Sequence, residues 1–441
     1  MTIEEIKSLL QENGIVGAGG AGFPTYAKLD KRADTLILNC AECEPLLRLH
    51  RQLLKQFTHE ILSTLHLLSK ILEVETVYIG VKGSYKRTVE AVKAELASYD
   101  NMKLCTLPEV YPAGDEVVLT YEATGRVVPA GGIPLAVGVT VLNVETVYNV
   151  YRALNGLPVT HKYVTVTGEV ASPVTLYAPL GMTLQELVDL AGGVTTEDPA
   201  YVIGGPMMGR IGSLSEVVTK TTNAVLVLPK SLPLVQKKLS KTSIDMKRAM
   251  AACCQCSYCT SLCPRHLLGH PIDPSAFMYV ASHSITGNTA PYVNALFCSG
   301  CGLCEMYSCG QGLSPRSLLD ACKQGLRAHG VKPPKIEQPA DVSEVRPWRM
   351  VPLKRLRSRL GLDPYNQSAP MAEQAVEAKK LRIPLSQHIG APAVAVVKKG
   401  DRVEAGQCIA IPAENALSVA IHAPMAGVVA DVTDRVITMT K

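Results

Sequence analysis

"CCQCSYCTSLCP", residues 253–264, sets Cys253, Cys256, Cys259 and Cys263 at the spacing C-x2-C-x2-C-x3-C and follows the last with Pro264. Three thiolates at two-residue intervals wrap one face of a four-iron cube, and a fourth ligand must come from elsewhere in the chain. "CSGCGLCEMYSCG", residues 298–310, nearly repeats the run with Cys298, Cys301 and Cys304. It spaces Cys309 one residue further and puts Gly310 where the proline stood. Zinc also uses C-x-x-C, but in two pairs rather than two triplets, so the spacing predicts two [4Fe–4S] clusters. In two-cluster proteins of this kind the fourth cysteine of each run ligates the other cluster. On that pattern Cys309 completes Cys253, Cys256 and Cys259, and Cys263 completes Cys298, Cys301 and Cys304; Cys322 is the other thiol near enough in sequence to replace Cys309. Cys254 is out of register, and Cys105, Cys322 and Cys408 stand alone as inert small hydrophobes.

Eight of the fourteen cysteines fall at comb positions, whereas a secreted disulfide framework would spread them. The start, "MTIEEIKSLLQENG", lacks the basic head and apolar core of a signal peptide, which predicts a reducing cytoplasm. The longest uncharged stretch, 127–144, holds Pro129, Gly131, Gly132, Pro134 and Gly138, so no membrane span is expected. A net charge of +5 over 441 residues argues against nucleic acid as the main partner.

Ile3, Ile6, Leu9 and Leu10 share one face of a short helix that runs into "GIVGAGGAGFPT", residues 14–25. Gly17, Gly19, Gly20 and Gly22 there let backbone N–H groups turn toward a phosphate with no Cβ in the way; a bland tight turn is the alternative. "TLILNC" (35–40) and "TVYIGVKG" (76–83) read as buried strands, with helical segments at 46–72 and 86–98. Strands alternating with helices predict an α/β sheet with a ligand at its strand ends. Residues 163–193 read as a hairpin and helix of a β-rich module, and the last 60 residues as a compact all-β domain. The basic run "RPWRMVPLKRLRSRLGL" lies in a stretch rich in Pro, Gln and Glu; it is read as a solvated linker, with binding of an acidic partner as the alternative.

The glycine loop, "NCAECEPLL" (39–47), "YPAGDEVVL" (111–119) and "LNVETVYNV" (142–150) follow in an order that resembles two families. These are the NADH-binding flavoprotein subunit of complex I and the Rnf complex C subunit. The resemblance implies FMN on the glycine loop with NADH as electron donor beside it. It assigns Gly17, Gly19, Gly20 and Gly22 to the flavin phosphate region, and Asn39, Glu42, Tyr111, Asp115, Glu116, Asn143 and Thr146 to the flavin and nicotinamide site. Ala41 departs from the pattern, which has an acidic residue there. Cys40 and Cys43 make a C-x-x-C read as plain buried thiols.

"RIPLSQHIGAPAVAVVKKGDRVEAGQCIA" with "IHAPMAGVV" resembles the barrel-sandwich module of biotinyl and lipoyl carriers, but Ala416 stands where the acylated lysine belongs. The Rnf C subunit carries such a module first; here it comes last. The whole order, with "VIGGPMMG" at 202–209, resembles the PduS-type cobalamin reductases of propanediol utilization. The resulting fold class is multidomain α/β plus β. It comprises an α/β FMN/NADH-binding domain (1–158), a β-grasp (SLBB-like) module (159–232), a ferredoxin-like two-cluster domain (245–328), a linker (329–378) and an unmodified barrel-sandwich hybrid domain (379–441). The resemblance implies NADH-dependent reduction of cob(III)alamin to cob(II)alamin and cob(I)alamin. It also implies a place within or attached to a bacterial microcompartment, with an adenosyltransferase and shell proteins as partners. The corrinoid signature D-x-H-x-x-G is absent: His266 and Gly269 keep the spacing, but Pro264 stands in place of the Asp. An Rnf-like NADH:ferredoxin subunit and a non-catalytic electron-transfer scaffold are the alternatives. The terminal domain is expected to serve docking, and its deletion to leave NADH oxidation largely unchanged.

Overall fold

The computed structural model describes residues 1–336 and 341–441. Helix α1 (Ile3–Glu12) begins on a reciprocal cap between Thr2 and Glu5 and buries Ile6 and Leu10. Behind it lie β1 (Thr35–Cys40), β2 (Thr76–Lys82), β3 (Met102–Leu107), the short β4 (Val110–Tyr111) and β5 (Val139–Asn143). Four of them form a parallel sheet in the order β3-β2-β1-β5. Their residues are apolar on both faces, as a parallel sheet covered by helices requires. The chain winds outward from β1 to β3 and returns on the other side of β1. The sheet therefore has its switch point between β1 and β5, where doubly wound folds bind their ligands.

The second unit is a β-grasp: β6 (His161–Gly168) and β7 (Val174–Pro179) form a hairpin followed by the helix Leu184–Leu190. Then come β8 (Pro199–Ile203), β9 (Arg210–Gly212) and β10 (Ala224–Pro229), the last running parallel to β6. Lys162 on β6 forms an ion pair with Glu145, which follows β5, and both side chains are almost wholly buried. Burial draws the Lys162 ammonium below its usual value while the neighbouring carboxylate holds it up. The comb region packs its helices around Phe277, Leu318 and Leu319.

Two expectations need correction. The segment read as a solvated linker is, over its described part from 341 on, a strap held across three units; residues 337–340 lie outside the described residues. Its strand β11 (Val351–Pro352) pairs with β4, its helix Leu353–Arg359 buries Leu356, and β12 (Met371–Ala375) extends the β-grasp sheet beside β7. The leucines in the basic run, including Leu356, Leu360 and Leu362, face a core while Lys354, Arg355 and Arg359 face water, a helical period that the charge had obscured.

The terminal barrel, seven strands in two sheets between Lys380 and Thr440, is not a free docking domain either. One contiguous apolar cluster runs from Ile6 and Leu10 through Leu180 and Met182 to Leu381 and Ile383. The Gln11 side chain donates to Ser418 O at 3.1 Å, and Ala420 N donates to Gln11 O at 3.0 Å. Lys220 Nζ, fully buried, donates to Gly14 O at 2.8 Å and Ala420 O at 2.7 Å. Removing the barrel would strip the helix that leads into the glycine loop, so the deletion is expected to cost the fold and not merely an association.

Two stability measurements check this frame. Lys162→Met leaves the Glu145 carboxylate buried without its partner and is expected to cost roughly 3–5 kcal/mol in a urea titration, the usual cost of breaking a buried pair from one side. Burial pulls the Lys220 ammonium down from 10.5 to about 7. Between those values the unfolded chain holds the extra proton, so stability is expected to rise with pH across that window. Lys220→Met should remove that slope.

Candidate active site

At the switch point Asn39, next to the end of β1, and Asn143, the last residue of β5, stand side by side in register. Outside them opens a crevice of about 730 Å³, within the range of cofactor sites. The four loop glycines and Asn39, Glu42, Tyr111, Asp115, Glu116, Asn143 and Thr146 all line it.

Much of that set is occupied in building the walls. Asn39 donates to Gly114 O and accepts from Ala41 N. Glu42 accepts from His50 N at 2.9 Å and faces Arg51. Asp115 caps the helix Glu116–Thr124 and pairs with Arg265 at 2.9 Å. Asn143 caps the helix Val144–Leu154 through Glu145 N, and Thr146 Oγ1 accepts from Ala18 N at 3.0 Å, pinning the glycine loop. A Cβ on Gly19 would lie 2.4 Å from the Asn143 amide, so only glycine lets the loop approach this closely. A Cβ on Gly20 would meet nothing within 4 Å.

Groups outside the sequence expectation add further polar atoms to the wall, some of them without a partner among the described residues. Lys28 Nζ, 2.6 Å from Glu116, is on the crevice wall. Thr25 Oγ1, His50 Nδ1 and Asn223 Oδ1 are buried, face no partner among the described residues, and belong to residues that line the crevice. Burial lowers the His50 pKa. Its Nε2 lies 3.3 Å from the Asn143 amide nitrogen, a donor, which leaves the proton on Nδ1. Lys28 carries a sequence signal, a cation three residues past the loop's Thr25. Thr165, Asn223 and the 204–209 loop of the β-grasp carry none, because only docking brings them here. Glu44 fastens that loop over the crevice, accepting from Met207 N and Met208 N at 2.8 Å each, and its burial pushes the carboxyl upward. A Cβ on Gly205 would lie 2.2 Å from the Glu44 carboxyl carbon.

This donor set fits a flavin mononucleotide. The N–H groups of Gly19, Gly20 and Ala21 have no acceptor among the described residues and sit where an anion would. The orphaned atoms flank the remaining volume. Cys40 is buried in β1 and Cys43 lies on the crevice wall; burial pushes the Cys40 thiol well up and that of Cys43 to about 11, so both stay neutral.

The combs build two separate cavities. One is lined by Cys253, Cys254, Cys256, Cys259 and Cys309, the other by Cys298, Cys301, Cys304 and Cys263. Each cavity thus gathers one triplet and the fourth cysteine of the other run. Cys322 lines neither; its thiol faces Tyr292 O at 3.7 Å. Cys254, out of register in the sequence, borders the first cavity but is exposed. Burial pushes the Cys259 thiol up to about 12 and that of Cys263 to about 11, a cost that iron coordination removes by holding the thiolate. N–H groups already point at the sulfurs: Gly300 N to Cys298, Leu313 N to Cys309, and the Gln255 amide to Cys253. Such hydrogen bonds tune clusters, and the cavities fit two [4Fe–4S] groups.

Fold and site together define a flavin and iron–sulfur oxidoreductase. Four family descriptions match in order along the chain: the Nuo51 FMN-binding domain over residues 10–152, the SLBB domain over 163–211, the 4Fe-4S dicluster domain over 252–314 and the RnfC barrel sandwich hybrid domain over 362–441. "Cobalamin reductase PduS" of Salmonella typhimurium is 41% identical over 443 residues, covering 100% of this chain and 97% of its own. The Citrobacter freundii protein of that name is 39% identical over 440 residues, covering 99% and 97%. The chain belongs to the cobalamin reductase PduS family. A solved NAD+-reducing [NiFe]-hydrogenase in the air-oxidized state aligns with 82% of this chain and 66% of its own at 20% identity and a TM-score of 0.47.

Iron content and spectra test the crossed thiols. Cys309→Ser is expected to lose one cluster's worth of iron, whereas Cys322→Ser should keep both clusters. Cys263→Ser should alter the paramagnetic signal that Cys298→Ser also alters, and leave the one that depends on Cys256.

Proposed function

We propose that this protein passes electrons from NADH, through FMN in the crevice and two [4Fe–4S] clusters, to cobalamin, taking cob(III)alamin to cob(II)alamin and on to cob(I)alamin for propanediol degradation. The observation that carries the reading is a single crevice with unspent donors whose wall includes Ser299 and Cys301 of the second comb. The full-length relatives named for cobalamin reduction supply the acceptor.

Bound in this crevice, FMN would supply two-electron hydride chemistry, and [4Fe–4S] clusters would supply one-electron transfer. The chain's residues do the holding. Gly17, Gly19, Gly20 and Gly22 shape the anion-binding turn, and Thr146 fixes it. Asn39, Glu42, Tyr111, Asp115, Glu116 and Asn143 set the crevice walls. Cys253, Cys256, Cys259 and Cys309 would hold one cluster, and Cys263, Cys298, Cys301 and Cys304 the other. The 204–209 loop of the β-grasp, held by Glu44, forms part of the crevice wall. The protein works in the cytoplasm, within or attached to a bacterial microcompartment, beside an adenosyltransferase and shell proteins. No helix among the described residues is long and apolar enough to cross a membrane.

Anaerobically purified protein is expected to reduce cob(III)alamin with NADH, followed by the corrinoid's visible spectrum. Gly20→Val is a sharp control because a Cβ at that position meets no protein atom within 4 Å. It should fold, keep its iron, lose its flavin and lose NADH oxidation. NADH-dependent activity in the flavin-free variant would overturn the assignment.

A further inference from the structure

The two combs do not stand equally to the crevice. Ser299 and Cys301 line both the crevice and the cavity of the second comb, whereas no cysteine of the first comb, nor Cys309, borders the crevice. Two contacts fasten this shared wall. Tyr111, which is 2% exposed, donates its hydroxyl to Cys301 O at 2.6 Å. Arg265, two residues past Cys263, pairs with Asp115 at 2.9 Å with both side chains largely out of water. The two runs that supply the second cavity are thus each tied to a crevice residue. The first comb faces the other way: Cys254 and Cys256 are exposed, and Met250 and Tyr258 beside them keep 59% and 43% of their surface open. Between the cavities the chain itself is the bridge, since Cys259 and Cys263 lie on opposite sides of one short turn and Cys304 and Cys309 on opposite sides of another.

We propose that the thiol set Cys263, Cys298, Cys301 and Cys304 is the entrance for electrons leaving the crevice and the set Cys253, Cys256, Cys259 and Cys309 the exit, at which the corrinoid is reduced. This rests on the reading of the crevice as the flavin site. The balance is one NADH oxidised to NAD+ and a proton, with two electrons leaving singly, each converting one cob(III)alamin to cob(II)alamin. Tyr111 is a positioning residue for the entrance set: its hydroxyl holds the Cys301 backbone against the crevice whose wall it also forms.

Freeze-quenched paramagnetic resonance on the full-length protein mixed with NADH tests the order, with signals assigned from Cys298→Ser and Cys309→Ser. Tyr111→Phe gives a gentler assignment, since it should shift only the signal of the set containing Cys301. The entrance signal is expected to rise before the exit signal in the unaltered protein. In Cys298→Ser, NADH should bleach the flavin while the exit set stays oxidised, although dithionite reduces it. In Cys309→Ser, NADH should still reduce the entrance set, and cob(III)alamin reduction should fall at least tenfold. Should either serine variant fail to assemble, the order of appearance in the unaltered protein decides. An exit signal that leads, or one that forms at the normal rate in Cys298→Ser, overturns the order. NADH that reduces no centre in the unaltered protein would instead refute the crevice reading.

Discussion

Two opposite charges held out of water at one seam decide where the β-grasp stands. Glu145 lies two residues past Asn143 at the switch point, and Lys162 lies near the start of β6. Neither charge is tolerable alone at that depth, so the two units have one relative placement and lose several kcal/mol if they slip. That placement lays Asn223, Thr165 and the 204–209 loop along the crevice. It also brings the helix Pro233–Leu239 against the combs, where Lys237 donates to Glu305 O, while Lys238 donates to Met207 O of the 204–209 loop.

The parts of the molecule legible in the sequence are those whose chemistry imposes local spacing. A cube needs thiols every third residue, so the combs announced themselves, and even the exchange of Cys263 and Cys309 followed from the pattern. The glycine loop was legible because only glycine clears the Asn143 amide. The roles inside the crevice were less so. Asp115 was expected at the site and is there, yet its oxygens serve Val117 N, Val118 N and Arg265. No local pattern distinguishes a carboxylate that meets a ligand from one that builds the wall. Asn223 and His50 were missed for the converse reason: their free atoms become a site only when distant segments converge.

The strap shows how charge can hide a core element. Between residues 353 and 362 four basic side chains match the four leucines in number, and composition alone reads as solvated. Yet Leu356, Leu360 and Leu362 are nearly wholly buried, and Val351 pairs with Tyr111 of β4. The residue that braces Cys301 is therefore itself braced by a segment some 240 positions downstream.

The barrel's contact with the first helix bears on how such proteins are assembled from parts. Ser418 and Ala420 meet Gln11, and Lys220 joins Gly14 to Ala420, so the last domain of the chain lies against the end of its first helix. A domain seated there is only a short connection away from either end of the rest. The same three-dimensional arrangement is reachable whether a gene encodes the barrel first or last, because neither order moves it from its seat. Shuffling of this module between the two termini is then a change of wiring that leaves the flavin crevice undisturbed.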